Sequence, residues 1–154
     1  MCIRDRFRGI EEALPGPSVI AALEEADAIV IAPSNPFVSV KPVLEITGVG
    51  EVIKQRREKV VAVSPIVGGA ALKGPASRML EELGFESSVV GIASLYKEFA
   101  SALVIDHVDA ELAAKVEAVG LRSVVTDTIM SDVDRAAALA KAVLDDAWPE
   151  ERDT

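Results

Sequence analysis

Two short polar stretches stand directly behind apolar runs, and their residue types are those that hold anions and sugar hydroxyls. The first is Ser34-Asn35-Pro36, with Ser39 close behind. A hydroxyl, together with an amide that both donates and accepts, suits a phosphate, a ribose or a base edge. Pro36 stiffens the turn that carries these groups. The same residue types also build ordinary turns for purely local reasons. The second stretch is Ser64-Pro65-Ile66-Val67-Gly68-Gly69, with Lys73-Gly74-Pro75 behind it. Paired glycines let backbone N–H groups approach an anion, and Lys73 adds positive charge beside the first turn of a helix. A flexible strand-to-helix connection with a solvated lysine fits the same residues. The spacing is not a Walker loop, since no G-x-x-x-x-G-K-S/T occurs, and no G-x-G-x-x-G dinucleotide fingerprint is present.

A third stretch is Thr126-Asp127-Thr128. Asp127 offers an oxygen to a ligand or a magnesium ion, or it bonds its own backbone in a turn. His107 is the single histidine, so a histidine-based zinc site is excluded, and no nucleophile–base pair stands out. His107 reads as an exposed loop residue.

These polar groups need a frame, and the apolar runs before them supply it. Ala28–Ala32 and Lys59–Ser64 are nearly unbroken small or branched apolar residues ended by proline turns. Such runs predict strands buried on both faces of a parallel sheet, and ligands of open parallel sheets sit just beyond the carboxyl ends of the strands. Leu103–Asp106 and Arg122–Val125 read as two further strands. Between them the pattern predicts a short helix opened by Pro17 and a helix from about Gly50 to Arg57. A helix opened by Pro75 carries Ala76, Met79, Leu80 and Leu83 on one face and stops at Gly84. The segment from Ser88 to Ala102 is helical with an interruption near Tyr96. Asp109 caps a helix that turns Leu112, Val116 and Val119 inward and ends at Gly120. Asp132 caps the last helix, whose inward stripe is Ala136, Leu139, Ala140, Val143, Leu144 and Ala147. Strands and helices alternate four times, so the expected fold is an α/β parallel Rossmann-like sheet flanked by helices with right-handed crossovers. There is no internal repeat and no linker: one domain, or part of one.

Composition sets the outer bounds. Half of the 154 residues are hydrophobic but only 4% are aromatic, so the core is aliphatic and no base-stacking platform is expected. A net charge of −9 argues against a nucleic-acid backbone as partner. One cysteine, Cys2, rules out an internal disulfide. No apolar run approaches the ~20 residues of a membrane span, and a cytoplasmic location is the expectation.

With these residues in place, the chain resembles the 2-phospho-L-lactate transferase family of coenzyme F-420 biosynthesis, from about Phe7 to Ala147. The likeness is densest in Ala26–Ser39, in Val61–Gly69 and in Lys73-Gly74-Pro75-Ala76, and continues through Val104-Ile105-Asp106 and Val125–Thr128. It implies the C-terminal half of the family's length. Residues 1–6 do not follow the family and are expected to be a leader of non-native origin, from assembly or cloning. The resemblance implies transfer of a phospholactyl or phosphoenolpyruvyl group from a guanosine diphosphate carrier to the deazaflavin Fo, with GMP leaving. In that frame Ser34 and Asn35, with Pro36 and Ser39, contact the nucleotide or the acceptor. Ser64 belongs to the same substrate-binding group, Gly68 and Gly69 present N–H donors to the diphosphate, Lys73 offsets its charge, and Asp127 shapes the floor of the cleft. The implied cofactor is magnesium, its main ligands and the catalytic groups lying in the other half, so the fragment alone is expected to be inactive. No nucleic-acid or membrane partner is implied, and a homodimer is left open. The alternative is the related family of gluconeogenesis-factor regulators that bind nucleotide sugars. Their Gly-Ser-Leu-Tyr type turn stands where this chain has Ser34-Asn35-Pro36.

Overall fold

The computed structural model describes residues 7–71 and 74–147. Four parallel strands form one sheet: β1 (Ile29–Ile31), β2 (Val60–Val63), β5 (Ala102–Asp106) and β6 (Arg122–Thr126), in the order β1-β2-β5-β6. Between β2 and β5 a small antiparallel hairpin is made by β3 (Ile66–Val67) and β4 (Ala70–Ala71). The helices are α1 (Val19–Glu25), α2 (Lys41–Leu44), α3 (Val49–Gln55), α4 (Ala76–Glu82), α5 (Val89–Tyr96), α6 (Ala113–Val119) and α7 (Val133–Ala147). The leader expected at 1–6 and the loop lysine Lys73 lie outside the described residues.

Each strand joins the sheet on the far side of the one before it. With right-handed crossovers, that order brings successive connecting helices back to a single face. The core shows this asymmetry. On one face Val60, Ala62, Leu103 and Ile105 pack with Val49 and Ile53 of α3, Leu80 of α4, Ile92 of α5 and Val116 of α6. On the other, Val61, Val63, Ala102, Val104 and Val124 meet Leu139 and Val143 of α7. The alternation along β2 and β5 thus divides one apolar run between two cores, which is why these strands are buried on both faces as their composition predicts.

β1 departs from that expectation. It holds three residues rather than five, and Val30 is 46% exposed. The reason is position: β1 ends the sheet, while α7 packs on β6 at the opposite side. Local boundaries shift too. The first helix starts at Val19, after Ser18 in a left-handed conformation, rather than at Pro17. Lys41-Pro42 opens α2. The last helix begins behind Asp132, which accepts the Arg135 N–H at 2.9 Å as a cap should. Its inward face is narrower than the sequence stripe, because Leu139 and Val143 are buried while Ala140 and Leu144 are exposed. Leu83 likewise lies 57% exposed at the end of α4.

Candidate functional site

Because the four sheet strands are parallel, their carboxyl ends share one edge, where open parallel sheets hold their ligands. The loops after β1, β2, β5 and β6 all start from that edge. They carry Ser34–Ser39, Ser64–Gly69, Asp106–Asp109 and Asp127-Thr128 respectively.

The loop after β1 is held by its asparagine. Asn35 Oδ1 accepts the N–H groups of Phe37 at 2.9 Å and Val38 at 3.3 Å, capping a π-helical turn over Pro36–Val40. Pro36, whose ring has no N–H to satisfy, takes the first turn position and is buried. Asn35 Nδ2 points toward Met79 Sδ, 3.6 Å away, a weak acceptor. Ser34 and Ser39 are exposed on either side of the turn.

After β2 the chain forms a fastened hairpin over Ile66–Ala71. Gly68 and Gly69 have φ of 59° and 76°, the left-handed pair of a two-residue type I′ hairpin turn. Three side chains from elsewhere fasten it. Asp109 Oδ2 accepts the Gly68 N–H at 2.9 Å, Ser87 donates its hydroxyl to the Gly69 carbonyl at 3.1 Å, and Ser77 Oγ accepts the Ala71 N–H at 2.6 Å. The Gly68 donor therefore already serves a carboxylate. Ser64 is buried, with its hydroxyl donating to the Ile66 carbonyl and accepting the Ile66 N–H. It shapes the start of the hairpin. Asp109, expected as a helix cap, is instead a buried anchor for this hairpin. The cap of the 3-10 turn His107–Leu112 is Asp106.

Asp106 is the residue that sequence reasoning undervalued. Its carboxylate is buried where β5 ends and accepts the Val108 N–H at 3.1 Å, the Thr128 N–H at 2.9 Å and the Thr128 hydroxyl at 2.9 Å. Burial works against its ionisation, but the donors of Thr128 and Val108 outweigh that and hold the carboxyl below its ordinary range. The pair ties the exit of β6 to the exit of β5. Its neighbour Asp127 is turned out to solvent, as is His107. The signal in the sequence was an acid ending an otherwise apolar run, Ala102–Asp106. Nothing in the sequence named Thr128, 22 residues on, as its partner.

Among the described residues no three His, Cys, Asp or Glu side chains gather to hold a metal ion. The two buried carboxylates accept N–H and O–H donors, which leaves Asp127 as one exposed oxygen ligand at this edge. The described residues therefore do not make up a magnesium site.

Fold and edge loops together define a parallel Rossmann-like α/β protein with its polar loops at the carboxyl ends of the strands. The chain belongs to the 2-phospho-L-lactate transferase CofD family, whose model matches residues 1–146. It is 39% identical over 133 residues to a 2-phospho-L-lactate transferase of Methanocaldococcus jannaschii, covering 86% of this chain and 41% of the relative. It is 37% identical over 138 residues to one of Methanosarcina acetivorans, covering 90% and 44%. To a phosphoenolpyruvate transferase of Streptomyces griseus it is 39% identical over 138 residues, covering 89% and 43%. The chain thus spans less than half the length of these relatives. Among the described residues, no helix is long and apolar enough to cross a membrane.

Proposed function

We propose that this chain is part of a transferase that moves a phospholactyl or phosphoenolpyruvyl group from a guanosine diphosphate carrier to the deazaflavin Fo in coenzyme F-420 biosynthesis. The observation that carries the reading is family membership over nearly the whole chain, with relatives named for both donor types. In the reaction an acceptor hydroxyl oxygen forms a bond to the phosphorus that bears the lactyl or enolpyruvyl group. The anhydride P–O bond breaks, GMP leaves with that electron pair, and the hydroxyl proton is released. Such a transfer depends on positioning and on stabilising phosphate charge.

The edge loops divide that work. Ser34 and Ser39 have exposed hydroxyls for the nucleotide or the acceptor, held in place by the Asn35-capped, Pro36-stiffened turn. Gly69 sits at the tip of a fastened hairpin, where its N–H can meet a phosphate, while Gly68 and Ser64 keep that tip in position. Lys73, which follows the hairpin in sequence, adds positive charge, and Asp127 offers an exposed carboxylate at the exit of β6. The magnesium of the reaction takes its main ligands from outside this chain, and the chain alone does not turn over.

A thermal-shift titration with GDP and with UDP, each with and without magnesium, tests the reading. A ligand that binds the folded state alone stabilises it by about 2.7 kcal/mol at one hundred times its Kd. A rise in Tm with GDP and none with UDP is expected. A rise with UDP alone would transfer the chain to the nucleotide-sugar-binding regulators. Turnover by the purified chain would overturn the inactivity of the fragment.

A further inference from the structure

Helix α4 touches both polar loops that leave β1 and β2. Its Ser77 Oγ accepts the Ala71 N–H of the hairpin at 2.6 Å, and its Met79 Sδ accepts a hydrogen of Asn35 Nδ2 at 3.6 Å. The helix is itself fixed, because Ala76 and Leu80 are buried in the aliphatic core. The sulfur is thereby held against the residue that caps the turn after β1. Met79 and Asn35 are both half-buried, so this contact lies near the surface rather than sealed within the core.

The contact is uneven. An amide N–H is a good donor, and a thioether is a weak acceptor. At its other end the same amide is well engaged, since Oδ1 takes the N–H groups of Phe37 and Val38. Asn35 thus ends its chain of hydrogen bonds on an atom that mild oxidation converts into a strong acceptor. Oxidation of a methionine gives a polar S=O group on a side chain that stays flexible and unbranched. Rotation about its last bonds sets the new oxygen on Nδ2 at an ordinary hydrogen-bond length of about 2.9 Å. Hydrogen bonds in series strengthen one another, so a better acceptor at Nδ2 also tightens the hold of Oδ1 on the turn.

We propose that Met79 is a reversible oxidation site, and that its sulfoxide latches Asn35 and with it the turn that carries Ser34 and Ser39. The oxidant is a hydroperoxide. A sulfur lone pair attacks one peroxide oxygen, the S–O bond forms as the O–O bond breaks, and the other oxygen leaves as water or an alcohol with the proton it takes up. Sulfur is oxidised and the peroxide reduced. Methionine sulfoxide reductases, with a thiol as reductant, return the thioether. The proposal stands on the Asn35–Met79 contact alone and does not depend on which ligand the turn holds.

The test treats the isotope-labelled chain with hydrogen peroxide and follows the Asn35 side-chain amide by NMR, with peptide mass mapping of each methionine. Met130, half exposed after β6, is the internal reference. Met79 is expected to gain one oxygen while the spectrum stays dispersed. The Asn35 Nδ2 proton signal should move downfield and return after treatment with both sulfoxide reductases. Peroxide should leave that signal unmoved in Met79→Leu. Met79→Gln, which carries a carbonyl oxygen in place of the sulfoxide, should show the downfield signal without peroxide. Met79 that stays reduced while Met130 is fully oxidised would overturn the proposal. So would an oxidised Met79 with the Asn35 signal unmoved, a collapse of the dispersed spectrum on oxidation, or the same movement in peroxide-treated Met79→Leu.

Discussion

The loop after β1 and the loops after β2, β5 and β6 leave the same edge of one sheet, yet they are built on opposite terms. At the centre the polar groups satisfy one another: Asp106 holds Thr128, Asp109 holds Gly68, and Ser64 holds Ile66. At the β1 side Ser34 and Ser39 are exposed, and a single asparagine keeps the turn in shape. The contrast follows from burial. A polar group sealed beneath a layer of protein must find its partner in the chain or destabilise the fold. One left at the margin keeps its hydrogen bonds for a ligand. Residues of similar chemistry, three serines among them, are therefore scaffold at one end of the edge and candidates for recognition at the other.

Substitutions along the edge should separate the two kinds of loop. The largest loss of stability is expected for Asp106→Ala, which strands the Thr128 and Val108 donors and should cost about 3 kcal/mol in a urea titration. The same carboxylate sets an acid dependence. Its folded pKa lies below the unfolded value of about 3.9, so its contribution is complete above that pH and is lost as the pH falls through the folded value. The stability gap between the native chain and Asp106→Asn should accordingly narrow on going from neutral pH to below about pH 3. A gap that stays constant would show that the carboxylate's charge is irrelevant there.

Gly68→Ala comes next. It forces a left-handed conformation on alanine and sets the new methyl 3.3 Å from Val108 Cγ1, so a loss of about 1–2 kcal/mol is expected from thermal denaturation. Asn35→Ala removes the cap of the turn after β1 and should cost about 1 kcal/mol by the same measurement. Ser34→Ala should change stability by less than about 0.5 kcal/mol. Its effect should appear instead in calorimetric titration with GDP, as a loss of about tenfold in affinity. If Ser34→Ala weakens the fold and leaves nucleotide affinity untouched, the division between scaffold and recognition loops collapses.

Much of the architecture was legible because it depends on period and punctuation. Val60–Val63 and Ala102–Ile105 are apolar throughout because each strand faces two cores, and Gly120, at φ 106°, ends α6 where its sequence position says it must. What the pattern could not give was rank within the sheet. Ile29-Val30-Ile31 is as apolar as the central strands, but whether such a run lies in the middle or at the end depends on which strands pair beside it. The Gly-Gly pair was visible as a special backbone point. That it closes a hairpin whose Gly68 N–H is taken by Asp109 depends on a carboxylate arriving from 41 residues away.

The sequence by itself determined the parallel α/β class, the places where each strand gives way to a polar loop, and the family to which the chain belongs, since all three are written in local residue types and their order. The tertiary structure alone decided which of those polar groups are free. A hydroxyl or carboxylate reads the same in sequence whether it meets water, a ligand or a distant N–H. The partner that settles it is brought by packing from a remote part of the chain, as Thr128 is brought to Asp106.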